Sequence, residues 1–465
     1  MNRFYEQIYK SSPFTLANLL ISLHNIRQYQ IRHGGVYQKF LEYFRETEKW
    51  TSEEIENERI KRLRQLLLHT YRYSKYYHEK WADLKIDLAH LGWDEFRQLP
   101  VITREELQEN VRDVYTIHPH KAIKFETGGT TGRTLLACFS PHNVQERFAM
   151  VDHFRSRFGF QFGEKTAWFT SKDILTAKDV SKNRFWRTDY KHNIQYYSTF
   201  YIQPQNVPYY IDNLNRYQPS FFSGITSSLA EVAQCGLKAG LKLNFKPKAV
   251  FPTADMLLKD DRDAMEAFYG CGVYDQYASS EGAPFITQCK NGHMHTELMS
   301  GIFEVLDCQQ TPVNCGELVV TSFTSEGTPL IRYRIGDLIE MESGPVDCQS
   351  NFPIVKTIHG RTNDCVISRE TGKLSVVNMV HSVKHVNGVL RFQIIQNELD
   401  SIQVKVVKTD EFKIGKDDIW LMKGLRTRLG NEMDIEIDYV DDIPREQNGK
   451  FRLIKNYCLE KNHIQ

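Results

Sequence analysis

Apolar residues recur at helical spacing through the first hundred residues. The clearest stripe consists of Ile60, Leu63, Leu67 and Tyr71. Thr51 and Glu54 precede it with the spacing of a capping box, so we expect a helix to begin at Thr51. A second box, formed by Thr103 and Glu106, predicts another helix start. Residues 1 to about 110 are therefore predicted to be mainly helical.

Short strand-like runs alternate with helical stripes between about residues 120 and 345. Ala249-Val250-Phe251 precedes a helical segment that includes Met265 and Phe268, and Glu317–Thr321 is another strand-like run. This alternation favours an α/β architecture in which helices cover the sheets.

The last hundred residues follow a different pattern. Apolar residues alternate with polar ones at Ile402, Val404 and Val406. They then recur at helical spacing at Ile419, Met422, Leu425 and Leu429, up to Gly430. A second alternating run follows at Ile435, Ile437 and Tyr439. This predicts a compact strand-helix-strand unit. The polar turn Gly360–Asp364 marks its start. We therefore predict a large α/β N-terminal domain of several subdomains, residues 1–359, and a small α+β domain, residues 360–465.

Composition and charge narrow the class of protein. The 59 basic and 58 acidic residues leave a formal charge of +1, so we expect no nucleic-acid partner. Nine scattered cysteines and the absence of a leader pattern favour a cytoplasmic protein.

One apolar run near the amino terminus allows several interpretations. Leu16–Leu23 is far shorter than the roughly 20 residues that span a bilayer. It could be part of the core, form a contact in a homodimer, or lie on a membrane surface, since Arg27, Arg32 and Lys39 follow it. Membrane association is expected to be peripheral at most.

A loop rich in glycine and threonine follows the second capping box. Its sequence is Glu126-Thr127-Gly128-Gly129-Thr130-Thr131-Gly132-Arg133-Thr134. Glycine lets the backbone approach a phosphate, while hydroxyl and N–H groups donate to it and Arg133 adds a positive charge. The Walker P-loop does not match, because it needs glycine at Thr127 and lysine at Arg133. The loop predicts another kind of phosphate site, although such turns also join strands without a ligand.

Four further segments carry residues suited to a nucleotide. They are Tyr277-Ala278-Ser279-Ser280-Glu281-Gly282, Tyr333-Arg334-Ile335-Gly336-Asp337, Gly360-Arg361-Thr362-Asn363-Asp364 and Pro444-Arg445-Glu446-Gln447-Asn448-Gly449-Lys450. Together with the glycine-threonine loop, and in this order, they resemble the adenylate-forming superfamily, which includes acyl- and aryl-CoA ligases, luciferases and nonribosomal peptide adenylation domains. The resemblance covers about residues 50–455.

Other segments resemble one branch of that superfamily. Pro329–Asp337, preceded by Gly316–Thr321, is similar to the phenylacetate-CoA ligase branch, as is the helical N-terminal region. Arg32-His33-Gly34-Gly35 and the helix start at Trp50-Thr51 resemble its CapK-like subgroup of capsular polysaccharide biosynthesis.

The resemblance implies an ATP site. Its triphosphate-binding residues would be Thr127, Gly128, Gly129, Thr130, Thr131, Gly132 and Arg133, with arginine where lysine is usual. Tyr277 and Ser280 would also bind the nucleotide. Asp337 would accept the ribose hydroxyls, and Arg361 would lie near ribose and phosphate. Glu281 would support Mg²⁺. Outside this set, each has an ordinary structural explanation, such as an exposed glutamate or an ion pair.

The resemblance also assigns a role to the small domain and makes it mobile. Lys450 resembles the lysine that this domain carries into the site to neutralise charge on the reacting phosphorus. Rotation about a hinge at Asn363, where an acidic residue is usual, would bring the lysine in for adenylation and withdraw it for thioester formation.

Cys289, His295 and Cys348 resemble a zinc site of some phenylacetate-CoA ligase relatives. Those relatives carry a Cys-x-Cys pair, but Val346 occupies its first position here. A fourth ligand would have to be Cys308, Cys315 or His293, or the site has decayed into buried thiols.

The resulting hypothesis is an AMP-forming acid-thiol ligase that uses ATP and Mg²⁺ and passes a small carboxylic acid to coenzyme A. One alternative is a ligase that attaches an acyl or aminoacyl group to a sugar of a surface polysaccharide. Another is a catalytically weak nucleotide-binding scaffold. Phe221–Gly224, Ala254 and Tyr277-Ala278 are candidates for lining the acid pocket, although Phe221 and Phe222 are equally typical of a core.

Overall fold

A computed structural model describes residues 9–126, 135–344, 346–348, 350–361, 364–383, 386–446 and 449–458. The first part of the chain is helical. Its helices are α1 Phe14–His33, α2 Tyr37–Thr47, α3 Ser52–Tyr73, α4 Lys75–Trp81, α5 Trp93–Arg97, α6 Arg104–Glu109 and α7 Val111–Val114. Both predicted helix starts are present. Thr51 caps α3 in a capping box with Glu54, and Thr103 caps α6. None of the helices in the described residues has the length and apolarity needed to cross a membrane.

The chain divides into two units, which are described separately. The large unit comprises Met1–Glu304, Val319–Ile335 and Glu342–Val355. The small unit comprises Val305–Leu318, Gly336–Met341 and Lys356–Gln465.

A mostly parallel sheet lies within the large unit. After the antiparallel ribbon β1 Ile123–Glu126 and β2 Leu136–Phe139, its strands are β3 Thr166–Thr170, β4 Trp186–Asp189, β5 Ile194–Ser198, β6 Phe221–Ile225, β7 Ala249–Thr253 and β8 Gly272–Val273. The strand order is β4-β5-β3-β6-β7-β8, and β4 pairs antiparallel with β5. The helices of this region are α8 Pro141–Ser156, α9 Ala177–Val180, α10 Val207–Tyr217, α11 Thr226–Lys238 and α12 Lys259–Tyr269. This is the α/β architecture that the alternating pattern predicted.

The core of this sheet explains why its strands are apolar throughout. Every residue of β6 is buried, because helices cover the sheet. Phe222 and Val250 are fully buried in a cluster with Leu229 of α11 and Met265 of α12. The chain runs from β3 to β5 on one side and then to β6 on the other, so the carboxyl ends of β3 and β6 lie where ligands bind in open α/β sheets.

A second sheet contains several of the motif segments. Its strands are β9 Gln276–Tyr277, β10 Ile286–Gln288, β11 Met294–Thr296, β12 Gly301–Leu306, β13 Cys315–Ser322, β14 Tyr333–Met341 and β15 Ile354–Arg361. Their order is β12-β13-β14-β15-β11-β10-β9. The predicted strand Glu317–Thr321 lies within β13.

The carboxyl-terminal part of the small unit contains the predicted strand-helix-strand pattern. Its elements are β16 Cys365–Ser368, β17 Gly372–Ser375, α13 Val376–Val383, β18 Val389–Glu398, β19 Ser401–Lys408, α14 Asp417–Leu429, β20 Asp434–Tyr439 and β21 Ile454–Asn456. Four strands form a sheet in the order β20-β19-β18-β21. Leu421, Leu425 and Leu429 of α14 are fully buried, whereas Ile419 is 62% exposed. The helix thus has the predicted position, but its apolar stripe starts at Leu421.

Gly424 marks a close approach of α14 to α13. A Cβ atom added to Gly424 would overlap the carbonyl oxygen of Ser382 in α13. Alanine usually stabilises a helix interior relative to glycine by about 0.5–1 kcal/mol. Here we expect Gly424→Ala to destabilise the protein by about 1–3 kcal/mol, because the helices must move apart. Calorimetric unfolding of both proteins tests this, and a raised melting temperature for the variant would contradict it.

Candidate active site

Glu281 is a buried carboxylate held by two side chains. It follows β9 and is only 3% exposed, so the interpretation as an ordinary surface glutamate is wrong. One carboxylate oxygen accepts a hydrogen bond from the Arg104 guanidinium, and the other accepts one from the Tyr333 hydroxyl at 2.8 Å. Each carboxylate oxygen has a further lone pair, so the group can still contact Mg²⁺ or its bound water.

Sequence reasoning missed both partners of Glu281. Arg104 is the first residue of α6, directly after the predicted cap Thr103, and Tyr333 begins β14. Each lies in a segment that the sequence singled out for another reason. Only the tertiary fold brings these two segments to the loop after β9.

Arg147 of α8 holds the backbone of that loop. Its guanidinium donates to the carbonyl oxygens of Gly282 at 2.9 Å, Ala283 at 3.0 Å and Ser279 at 3.4 Å. It also donates to Thr324 Oγ1 at 2.8 Å. Burial lowers the pKa of Arg147 to about 10, which still leaves it positively charged at neutral pH. The loop is therefore fixed through its main chain, and no motif identified Arg147.

The other residues of this loop differ in exposure. Tyr277 is partly buried and pairs with Ile286 across β9 and β10, whereas Ser280 is exposed. Gly282 has a φ of 100°, and an added Cβ would press on the Phe139 ring. Only glycine fits this turn without strain.

The glycine-threonine loop joins β1 to β2. These strands form an antiparallel ribbon that ends in the pair Glu126 and Leu136. Its predicted binding residues, Thr127 to Arg133, lie outside the described residues. Their contact with ATP remains a prediction.

Asp337 and Arg361 lie on neighbouring strands of the small unit. Asp337 belongs to β14 and is 8% exposed, and Arg361 is the last residue of β15. Arg361 Nε lies 4.0 Å from Asp337 Oδ1. Asp337 is therefore a strand residue, not a turn aspartate, and its pairing with Arg361 is the ion pair that the sequence also allows as a structural role. The predicted hinge residue, Asn363, lies outside the described residues.

Two backbone hydrogen bonds hold the chain at Lys450. The Gly449 N–H donates to the Glu446 carbonyl at 2.8 Å, and the Glu446 N–H donates to the Lys450 carbonyl at 2.9 Å. Two residues later, the Arg452 guanidinium pairs with the Asp364 carboxylate at 2.9 Å. The segment that carries Lys450 is thus tied to the residue that follows Asn363 in the chain.

The residues considered for the acid pocket lie at different places in the fold, with Phe221 and Phe222 at the amino end of β6 and Ala254 just after the carboxyl end of β7. Phe221 and Phe222 are fully buried core residues. Ala254, directly after β7, has a φ of 77°. A non-glycine residue in this region is strained, and such strain often accompanies a binding site.

Cys289, His295 and Cys348 lie together in the large unit. Cys289 follows β10, His295 lies on β11, and all their ligand atoms are within 4.8 Å of one another. The two sulfur atoms are 3.8 Å apart, and Cys348 Sγ is 3.3 Å from His295 Nε2. The Nδ1–H of His295 donates to the Phe352 carbonyl at 2.8 Å, which directs the Nε2 lone pair at the thiols.

This geometry fits zinc. Two thiolates that bind a tetrahedral zinc at about 2.3 Å lie about 3.8 Å apart. Burial lowers the pKa of His295, which keeps the ring neutral as a metal ligand requires. Within the described residues no fourth cysteine, histidine or carboxylate joins this group. Cys308 and Cys315 are exposed.

The fold is that of the adenylate-forming ligases, which combine a large N-terminal and a small C-terminal domain. A 2-hydroxyisobutyryl-CoA ligase in the postadenylation state, in complex with 2-HIB-AMP, is similar with a TM-score of 0.69 and 16% identity, over 88% of this chain and 92% of that one. The anthranilate CoA ligase AuaEII in complex with anthranoyl-AMP gives a TM-score of 0.52 and 11% identity, over 75% and 68% of the two chains.

Sequence similarity identifies the family of the chain within this fold class. Protein CapK of Staphylococcus aureus is 32% identical over 460 residues, which cover 97% of this chain and 98% of that protein. The family model of the CapK C-terminal domain matches residues 366–457. The chain belongs to the CapK family, as the resemblance predicted.

Proposed function

We propose that this protein uses ATP and Mg²⁺ to activate a small carboxylic acid as an acyl-adenylate, releasing pyrophosphate. It then transfers the acyl group to the thiol of coenzyme A. The observation that carries this proposal is the buried Glu281 carboxylate, which Arg104 and Tyr333 hold in the loop after β9. The adenylate-forming fold and the order of the five motif segments support it.

In this proposal each motif residue contributes to binding of the nucleotide. Hydroxyl and N–H groups of the Thr127–Gly132 loop donate to the β- and γ-phosphates, and Arg133 compensates their charge. Asp337 accepts the ribose hydroxyls, with Arg361 beside it. Tyr277 and Ser280 contact the nucleotide from the loop that ends at Glu281. Mg²⁺, when bound near Glu281, would shield the triphosphate from the approaching carboxylate.

Two bond exchanges follow from this binding mode. A carboxylate oxygen of the acid attacks the α-phosphorus, and the bond to the bridging oxygen of pyrophosphate breaks. The thiolate of coenzyme A then attacks the acyl carbon, and AMP leaves. Lys450 neutralises charge at phosphorus in the first step. Rotation of residues 360–465 about Asn363, relative to residues 1–359, withdraws Lys450 before the second step.

A second candidate function changes only the acceptor. Membership of the CapK family favours transfer of the acyl or aminoacyl group to a sugar in surface polysaccharide biosynthesis. A hydroxyl or amino group of the sugar would then attack the acyl carbon in place of the thiolate. A nucleotide-binding scaffold is the remaining alternative, and the replacements Arg133 and Asn363 leave it open.

ATP–pyrophosphate exchange over a panel of carboxylic acids separates these functions. Exchange with one class of acid supports adenylation, and the absence of exchange with every acid would favour the scaffold. Acceptor assays with coenzyme A and with amino sugars then distinguish a thioester from an ester or amide product.

Replacement of Lys450 should separate the two half-reactions. We expect Lys450→Ala to slow adenylation by about a hundredfold or more, because the developing negative charge loses its cation. ATP binding, and acyl transfer from a supplied acyl-adenylate, should remain within about twofold of the unchanged protein. Lys423→Ala, which removes an exposed lysine of α14, is the control. Equal loss in both half-reactions would argue against rotation of the small domain.

Replacement of Glu281 should alter the response to Mg²⁺. Glu281→Gln keeps the shape of the side chain but removes its charge, so we expect half-maximal turnover to require about tenfold more Mg²⁺. Glu146→Gln is a matched control, since Glu146 is also buried and pairs with Arg62. If both variants lose stability alike and neither changes the Mg²⁺ dependence, Glu281 has only a structural role.

We also propose that Cys289, His295 and Cys348 bind a structural zinc ion. Zinc bound there would join the turn between β10 and β11 to the segment that contains Cys348. The fourth ligand is open, and His293, Cys308 and Cys315 are the residues that the sequence offers for it. The distances between the sulfur and nitrogen atoms support this proposal.

Metal analysis tests the zinc site. We expect about one zinc per chain in the purified protein and less than about a tenth of that in Cys348→Ser, which removes one thiolate. Cys271→Ser should retain the metal, since Cys271 is a partly buried cysteine outside the group. Well under one zinc per chain after a chelator wash, with activity intact, would contradict the proposal.

A further inference from the structure

Helix α1 exposes four of its large apolar side chains, whereas the residues that it buries fully are small or polar. Its buried residues are Ala17, Asn18 and Ser22. Its exposed apolar residues are Leu16 at 44%, Leu19 at 49%, Leu23 at 56% and Ile26 at 42%. A helix that packs on a core normally shows the reverse arrangement. The leucine stripe therefore does not fold into the core.

Hydrogen bonds explain how α1 is attached to the large unit. Asn18 Oδ1 accepts from the Thr188 N–H at 3.3 Å, and Asn18 Nδ2 donates to the Tyr190 hydroxyl at 3.2 Å. Ser22 Oγ accepts from the Tyr190 N–H at 2.9 Å. Asn25 donates to the Asp189 carboxylate at 2.8 Å. Because these bonds define the buried face, α1 cannot turn its leucines inward without breaking them.

The exposed apolar residues form one continuous stripe. Leu16, Leu19, Leu23 and Ile26 are spaced by three, four and three residues, so their side chains point within about 80° of one another and extend about 15 Å along the helix. Tyr190, whose hydroxyl accepts from Asn18, is 57% exposed. Single exposed leucines are ordinary, but a contiguous apolar stripe indicates an interaction surface.

The stretch of chain that contains α1 carries fixed charges of one sign only. No aspartate or glutamate occurs between Glu6 and Glu42, although the whole chain is balanced at +1. The same stretch contains the fixed cations Lys10, Arg27, Arg32 and Lys39. Arg27 and Lys39 are exposed, and Arg27 directly follows Ile26. This stretch therefore contributes only positive fixed charges beside the stripe, of which Lys10 is paired with Asp173.

The absence of acidic residues in this stretch favours anionic lipid over a second copy of the chain as the partner of α1. A second copy paired through α1 would bring no acidic side chain of residues 7–41 to compensate Arg27 or Lys39. Phosphate groups of anionic lipids would compensate them, while the stripe enters the boundary between headgroups and acyl chains.

We propose that α1 lies flat on an anionic lipid bilayer, with Leu16, Leu19, Leu23 and Ile26 inserted and Arg27 and Lys39 at the headgroups. None of these residues belongs to the proposed nucleotide site. This surface would hold the protein at a membrane and does not depend on the proposed reaction.

Flotation of the full-length protein with phospholipid vesicles tests the proposal. We expect binding to vesicles with about one third phosphatidylglycerol, at least about fivefold weaker binding to pure phosphatidylcholine, and weakening as salt is raised. The double substitution Leu19→Ser and Leu23→Ser should abolish flotation. The control Leu237→Ser, at a leucine of α11 that is 44% exposed, should leave it unchanged.

Three further measurements make the outcome decisive. The double variant alters only exposed residues, so its melting temperature should match that of the unchanged protein. Substitution of Arg27 and Lys39 by glutamine should reduce flotation while the stripe is intact. Light scattering would overturn the proposal if the protein is a dimer that the double variant converts to a monomer, with no flotation of either. Absence of flotation at low salt would also overturn it.

Discussion

The candidate site depends on one interaction, in which Arg104 and Tyr333 hold the buried Glu281 carboxylate. A charge removed from water is tolerated only when partners satisfy it, and removing one partner of such a group typically costs about 3–5 kcal/mol. Arg104 and Tyr333 provide those partners from α6 and β14. The same contacts therefore fix the helical N-terminal part, the loop after β9 and the start of β14 relative to one another. The contacts that position the Glu281 carboxylate are therefore the same contacts that hold these three segments together.

Periodicity alone predicted the strands and the helix of residues 402–439 well. Alternating Ile402, Val404 and Val406 became β19, and the stripe that ends before Gly430 became α14. Each element there buries one face against one core, so spacing in the sequence maps directly onto burial. The family motifs in turn predicted the fold class, which the structural comparisons confirm.

Elsewhere the sequence pattern was not sufficient. The run Leu16–Leu23 has helical spacing, but spacing does not say which face is buried, and hydrogen bonds of Asn18 and Ser22 decide it. The partners of Glu281 lie far from it in the chain, so no local pattern could reveal them. Cys348 lies near Cys289 because β11 pairs with β15, which begins shortly after Cys348. Pairings of this kind arise only from the tertiary fold.

Arg147 supports the loop before and after Glu281 almost entirely through carbonyl oxygens. Main-chain carbonyls are the same for every amino acid, so the support does not depend on which side chains Ser279 and Ala283 carry. Side chains in this loop can therefore change over evolution while its backbone keeps its shape, except at Glu281, at Gly282 with its positive φ, and at Ser279, whose Oγ accepts from the Ala283 N–H at 3.1 Å. A scaffold of this kind allows related enzymes to alter what the loop contacts without having to rebuild the loop itself.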